Sequence, residues 1–399
     1  MVGFQASQNK RNVNEIGDGK NVSKAITCAC GLIVSVVMLV FFGLTMLYST
    51  SYGQVGSEYF SKQLLWAAIG FAAALTVIAV GYKILSDKSI FLVAVTFVLL
   101  VACLAFPEVK GAQRWIRFAG ISLQPSELAK PVLVLFLAGY CAKHFRTVSE
   151  VFTKHGIFWA LLVCGVLIGG VLLGQDLGTS MLMAAVALTV IFVAGAGLRW
   201  FFMAIAAGGA LFMALPVISP VRWQRVTSFL EPEKVASDEG WQLWNSLMAL
   251  GSGKWLGVGF MASRMKARYL PEAHTDFILA VVGEELGLVS LILVMLTYIA
   301  FTFFGLGIAM SARTRQGMFL AVGLTAVIAL QAVINIGVVS GALPTKGIFA
   351  PMISYGGSNL LSCMISAGLL LSVALDTIMP DYNKNFRERI FARFRKSGR

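Results

Sequence analysis

Apolar runs of 18 residues or more recur along this chain from end to end, and a run of that length is what a helix needs to cross a hydrocarbon core of about 30 Å. Ten can be laid out, at about 25–48, 63–82, 89–106, 126–142, 156–174, 179–197, 200–219, 276–310, 317–340 and 349–377. In lipid each spanning segment must satisfy its own backbone N–H and C=O groups. The pattern therefore predicts an all-α, polytopic integral membrane protein of about ten transmembrane helices. The eighth run is too long for one straight crossing and is expected to tilt or to extend beyond the lipid. Composition agrees: 58% of the 399 residues are hydrophobic and 13% charged, where a soluble chain carries about 25% charge. That excludes an ordinary globular enzyme with one core, a coiled coil, a disordered chain and a collagen-like one.

Residues 1–24 are polar, and no small-residue cleavage pattern follows 25–48, so the first run reads as a retained helix. Three regions follow: a cytoplasmic segment 1–24, a membrane domain 25–380 with one large extracytoplasmic loop at 221–275, and a basic cytoplasmic tail 381–399. With both termini inside, nineteen Lys and Arg fall on the inner side and twelve on the outer side. Seven of those twelve lie in 221–275, a loop long enough for the positive-inside rule to discount. The net charge of +13 is thus assigned to basic loops beside an anionic membrane, with no nucleic acid as partner. The tail either lies on the inner leaflet or anchors the topology. The six cysteines are scattered and form neither a metal-ligand quartet nor a disulfide framework.

In so apolar a chain the informative residues are the ionisable ones near the spans, and on this topology they gather at the outer face. Arg114 and Arg117 lie in the loop 107–123, Glu127 and Lys130 open the fourth span, and Asp176 ends the fifth. Arg222 and Arg225 follow the seventh. Glu272, His274 and Asp276 precede or open the eighth, with Glu284 and Glu285 about two turns deeper, and Lys346 precedes the last. A mixed cluster at one end of a bundle reads as a site, whereas a proton-coupled transporter carries its carboxylates near mid-membrane. Pro271 is expected to open a helix, which would set Glu272 and Asp276 on one face. Asp276 then suits a general base, or else a capping or ion-pairing role.

No metal is assigned to protein ligands: His274 has no second His on its side of the membrane and is read as a structural hydrogen-bonding residue. Arg114, Arg117, Arg222, Arg225, Lys254, Arg264, Lys266, Arg268 and Lys346 together point to an anionic ligand such as a lipid-borne pyrophosphate, although each alone could be a solvated loop charge. Gly251-Ser-Gly-Lys254 lacks the spacing of a phosphate loop. Ser354-Tyr-Gly-Gly-Ser358 is read as a tight break just inside the last span, and Gly283/Gly287 as a pair permitting close helix contact.

Seven stretches, taken together, carry a resemblance: Gly111-Ala-Gln-Arg-Trp-Ile116, Gln124-Pro-Ser-Glu127, Gln175-Asp-Leu-Gly-Thr179, Leu270-Pro-Glu-Ala-His-Thr-Asp-Phe277, Gly283-Glu-Glu-Leu-Gly287, Leu343-Pro-Thr-Lys-Gly347 and Ile353-Ser-Tyr-Gly-Gly-Ser358. In this order, over about 25–380, the chain resembles the SEDS family of membrane glycosyltransferases that polymerise peptidoglycan. Ala273 and the Thr345-Lys346 pair lean towards its cell-division members, with a sporulation-type relative left open. The resemblance implies a SEDS-type bundle that joins lipid II, an undecaprenyl-pyrophosphate disaccharide-pentapeptide, into β-1,4 glycan at the outer face of the bacterial cytoplasmic membrane. It puts the family's essential aspartate on Asp276 and its conserved lysine on Lys346. Its other motif residues fall on Arg114, Glu127, Glu284 and Glu285. Many members read Gln-Pro-Asp-Leu-Gly-Thr where this chain has Gly174-Gln175-Asp176, so the helix end there is expected to be less rigid.

The expected reaction is an inverting single displacement with Asp276 as general base. Arg114, Arg222, Arg225 and Lys346 would neutralise the leaving pyrophosphate, with Glu127, Lys130, Asp176, Glu272, His274, Glu284 and Glu285 in support. No cofactor is fixed by the sequence, and a divalent cation (Mg or Mn) is left open. The implied partners are lipid II, membrane lipids, a class B penicillin-binding transpeptidase and other divisome proteins, at the division septum. A lipid II flippase and a non-catalytic divisome scaffold are the alternatives.

Overall fold

The computed structural model describes residues 2–108, 113–118, 121–145, 156–196, 202, 206, 240–270, 273–345 and 347–380. The expected seventh span at 200–219, apart from residues 202 and 206, and the tail 381–399 lie outside them.

The described chain is helical. Its elements are α1 (Val2–Val55), α2 (Glu58–Val80), α3 (Tyr82–Asp87), α4 (Ser89–Cys103), β1 (Ile116–Phe118), β2 (Ile121–Leu123), α5 (Pro125–Lys143), α6 (Ile157–Leu173), α7 (Leu177–Val193), α8 (Trp241–Gly253), α9 (Met265–Arg268), α10 (Ile278–Ser311), α11 (Arg315–Val339) and α12 (Gly357–Ile378). Five of the described helices are long and apolar enough to cross a membrane: α1 over Gly19–Ser51, α2, α10, α11 and α12. The expected count of ten is not met by that criterion. α4, α6 and α7 are apolar but have 15, 17 and 17 residues, about 22 to 26 Å of helix. α5 has length enough, but Glu127 and Lys130 at its start keep it from reading as lipid-facing.

Burial sorts the helices. α11 and α12 are 61% and 67% buried over their apolar windows, against 17% for α2 and 22% for α10. Together with α5, which is buried along most of its length, they form the centre. The outer helices turn Phe41, Phe71, Phe91, Leu293 and Phe303 outwards, as lipid-facing surface requires.

Four local features depart from the sequence reading. A two-stranded antiparallel ribbon pairs Ile116 with Leu123 and Phe118 with Ile121 inside the loop 107–123, its alternating apolar residues being too few to stand out. Helices α8 and α9 lie within the loop 221–275. The last span begins at Gly357 rather than 349, because residues 348–356 are not helical and run through a turn and a bend. Finally, the eighth span breaks at Gly287 (φ 74°, ψ −175°), a conformation essentially reserved for glycine.

The break frees backbone groups in an apolar setting, and the segment after α8 satisfies them. Val258 N–H donates to Glu284 O (2.9 Å) and Gly259 N–H to Glu285 O (3.0 Å), while Leu288 N–H reaches Lys254 O (2.9 Å) and Val289 N–H reaches Trp255 O (3.2 Å). A Cβ on Gly287 would lie 2.3 Å from Trp255 O and one on Gly253 1.8 Å from Gly283 O. Gly283 and Gly287 thus serve close approach, as their spacing suggested, and Gly287 also admits the break.

Candidate active site

Four of the expected site residues, Arg222, Arg225, Glu272 and Lys346, lie outside the described residues. The rest form three separate groups.

The first group surrounds Asp276. Residues 273–277 form a turn and α10 starts at Ile278, with Phe277 as its N-cap. Asp276 therefore stands just ahead of the helix, not on its face as expected. Its backbone carbonyl accepts from Asn335 Nδ2 (2.9 Å), which also donates to Ile348 O (2.7 Å). One side-chain amide of α11 thus ties the Asp276 turn to the strand of chain after Lys346. A Cβ on Gly347 would stand 2.8 Å from Asp276 Oδ2 and 3.7 Å from Arg114 Nη2. The carboxylate and the guanidinium therefore both come close to one exposed glycine. Arg114 also approaches Asp176, with Nη1 3.7 Å from Oδ1.

Asp176 is held by its own role. It is the N-cap of α7, accepting from Thr179 N at 3.1 Å, which offsets one of the helix's orphan donors. Its other oxygen accepts from Gln124 Nε2 and Ser126 Oγ, both at 3.1 Å. Pro125 opens α5 at the position where a missing N–H costs nothing. With no proline before Asp176, the contacts at that helix end are the cap on Thr179 and the hydrogen bonds to α5 and Gln124.

The second group is deeper. Lys130 Nζ lies 2.6 Å from Glu127 Oε2, both side chains almost wholly buried. Lys130 also donates to Gln331 Oε1 (2.7 Å), and Gln331 Nε2 donates to Asn359 Oδ1 and Phe349 O (both 3.0 Å). A buried pair survives only where opposite charge and hydrogen bonds replace water, and this network supplies both. It links α5, α11 and α12 beneath the Asp276 turn. Gln331 and Asn335 were missed from sequence, though two amides four residues apart in an apolar span were a readable signal.

The third group is Glu284 and Glu285, whose side chains bind the segment 261–266. Glu284 accepts from Ser263 Oγ and from Arg264 N (2.9 Å). Glu285 accepts from Lys266 Nζ (2.5 Å), Ser49 Oγ (2.6 Å) and Met261 N (3.1 Å). Lys266 Nζ also reaches Ser49 O at 3.0 Å. Lys266 is thus a buried partner of Glu285, which corrects its expected place among the ligand-facing cations.

His274 sits in the Asp276 turn, its ring stacked on Tyr59 with centroids 4.8 Å apart. Among the described residues no group of three or more His, Cys, Asp or Glu side chains could hold a metal ion.

Comparison with known proteins fits this architecture. The family model described as "Cell cycle protein", covering FtsW, RodA and SpoVE, matches residues 29–378. A "Probable peptidoglycan glycosyltransferase FtsW" of Trichlorobacter lovleyi is 36% identical over 86% of this chain and 92% of its own length. Stage V sporulation protein E of Bacillus subtilis is 36% identical over 86% and 96%. Among solved structures, a chain from work on "structural coordination of polymerization and crosslinking by a peptidoglycan synthase complex" superposes with a TM-score of 0.74 at 24% identity, covering 88% of this chain and 98% of that one. The rod shape determining protein RodA of Thermus thermophilus gives 0.66 at 24% identity, over 87% and 96%. These two likenesses establish the shared multi-pass helical fold, and the sequence matches establish more: the chain belongs to the FtsW/RodA/SpoVE (SEDS) family of cell cycle proteins.

Proposed function

We propose that this protein is a peptidoglycan glycosyltransferase that polymerises lipid II into β-1,4 glycan at the outer face of the bacterial cytoplasmic membrane, in cell division. Several of its relatives are named probable peptidoglycan glycosyltransferases. The observation that supports a reaction centre is the approach of both the Asp276 carboxylate and the Arg114 guanidinium to exposed Gly347. A base beside a fixed cation suits a displacement in which a proton is removed on one side and anionic charge grows on the other.

In the proposed step the 4-hydroxyl of the acceptor's N-acetylglucosamine gives its proton to Asp276. Its oxygen forms a bond to C1 of the donor's N-acetylmuramic acid. The bond from C1 to the phosphate oxygen breaks, and undecaprenyl pyrophosphate leaves with the electron pair. One displacement inverts the anomeric carbon, α to β, with no glycosyl-enzyme. Arg114 would meet the growing pyrophosphate charge, with Arg222, Arg225 and Lys346 as further candidates. A divalent cation, Mg or Mn, would offset the same charge if the pyrophosphate carries one. Asp176 acts through Arg114, and Glu127, Lys130, Glu284 and Glu285 act by holding the elements that carry the site.

The five long helices, the three shorter ones, α5 and the apolar run at 200–219 make up ten crossings. Both termini would then be cytoplasmic, as the basic residues indicate. The partner would be a crosslinking transpeptidase at the septum, by analogy with the synthase complex whose fold is shared.

The experiment is reconstitution in proteoliposomes with lipid II, the product treated with a muramidase that cuts β-1,4 linkages. Muramidase-sensitive polymer is expected. Lipid II translocation without polymer would overturn the reading in favour of a flippase.

A further inference from the structure

We infer that Tyr59, His274 and Tyr355 form an aromatic platform that holds the terminal N-acetylhexosamine ring of the acceptor beside Asp276; this subsite rests on the polymerase reading above. The three rings come from three elements: Tyr59 from the first turn of α2, His274 from the Asp276 turn, and Tyr355 from the chain just before α12. Tyr59 stacks on His274 (4.8 Å between centroids, planes 22° apart) and on Tyr355 (4.8 Å, 31°), with His274 and Tyr355 5.8 Å apart. All three side chains are only partly buried, so part of the cluster stays accessible to a ligand.

The platform is rigid with respect to the carboxylate. Tyr355 N–H donates to His274 O (2.9 Å), and Ser354 Oγ donates to Thr275 O (2.6 Å). Gln63 of α2 fastens the same segment twice, donating from Nε2 to Ser354 O (3.2 Å) and accepting from Gly356 N (3.3 Å). The rings and Asp276 therefore move as one unit, which a base needs if it is to find one hydroxyl of a bound sugar.

The chemistry fits a pyranose. Such a ring has a face of C–H bonds and a rim of hydroxyls. The electron-rich face of an aromatic ring attracts the positive C–H edge, and Tyr and His add polar tips at the periphery. Beside the platform, Lys62 and Glu58 form an ion pair of 2.5 Å in which both side chains stay about half exposed. That pair offers a donor and an acceptor for hydroxyl or acetamido groups. Because His274 is two residues from Asp276, the ring on the platform is the one whose hydroxyl loses its proton, the acceptor sugar. Arg114, which also approaches Gly347, is left for the pyrophosphate.

The test uses the full chain in lipid nanodiscs and two ligands, lipid II and lipid I, the same lipid bearing the muramyl sugar without the terminal N-acetylglucosamine. The wild type should bind lipid II more tightly than lipid I. Tyr59→Leu should lower affinity for lipid II about tenfold, the upper range for a lost aromatic contact, and leave lipid I affinity unchanged. Tyr59→Phe should keep the preference, and the unchanged lipid I affinity shows that the variant is folded. Equal weakening of both ligands by Tyr59→Leu, or no change in either, would overturn the platform. Failure of the wild type to polymerise would sink the polymerase reading instead, and the preference for lipid II over lipid I would still decide the platform.

Discussion

Replacing Gly347 with alanine places a methyl group beside the two groups on which the proposed chemistry depends. The new Cβ would stand 2.8 Å from Asp276 Oδ2 and 3.7 Å from Arg114 Nη2. An ordinary carbon contact needs about 3.5 Å, so the carboxylate must retreat by about 0.7 Å, while the guanidinium can stay. The neighbour that yields is the end of a side chain, not backbone, and Gly347 is exposed with no left-handed φ. The stability cost should therefore stay below about 1 kcal/mol. Catalysis should suffer far more, because a misplacement of about 1 Å at a reacting group can cost on the order of a hundredfold. We expect Gly347→Ala to lower the rate of lipid II polymerisation ten- to a hundredfold, with lipid II binding and thermal stability near wild type. Gly251→Ala is the control: nothing lies within 4 Å of its Cβ position, and alanine is the better helix former in α8 by about 1 kcal/mol. The assay is glycan formation by the purified protein, resolved by gel, beside a melting curve. Polymerisation by Gly347→Ala within twofold of wild type would refute the reasoning, since the Asp276–Arg114 placement would then not matter.

Other predictions concern the scaffold. Gly287→Ala meets both a glycine-only backbone conformation and Trp255 O at 2.3 Å; it should destabilise by at least about 3 kcal/mol and expose 254–259 to proteolysis, which limited digestion would read. Lys266→Met strands the fully buried Glu285 and should cost about 3 kcal/mol, with Glu285→Gln in the same chain recovering part of it; thermal melts of the single and double variants decide this. Asp176→Ala removes the α7 cap and a partner of Arg114; it should cost about 1 kcal/mol and also lower polymerisation, whereas Asp176→Asn should keep most of the stability.

Most helix positions were legible because a long apolar run leaves few other readings, although five of the described helices, not ten, are long and apolar enough to cross a membrane. α2, α5, α6, α7 and α11 lie within a few residues of their expected positions, apart from the earlier start of α2 at Glu58. The break at Gly287 was not legible, because Gly283-Glu-Glu-Leu-Gly287 continues a helical pattern and the partner that satisfies the broken ladder is the distant segment 254–259. For the same reason Glu284 and Glu285 read as deep carboxylates, when both hold the segment 261–266 and Glu285 ties it to Ser49 of α1. Lys266 read as a cation awaiting a ligand, because a buried partner on another helix leaves no mark in spacing. Asp276 and Arg114 could be named from motifs, yet their shared closeness to Gly347 is a tertiary fact. The platform of Tyr59, His274 and Tyr355 is tertiary too, each ring coming from a different element.

The account turns on Asp276 as the proton acceptor, and Asp276→Asn is the direct measurement. The substitution keeps the size and hydrogen-bonding shape of the side chain and removes its basicity. Measured on the purified protein with lipid II, alone and with its transpeptidase partner, this variant should bind lipid II like the wild type and form no glycan polymer. Polymerisation by Asp276→Asn at the wild-type rate would contradict the account.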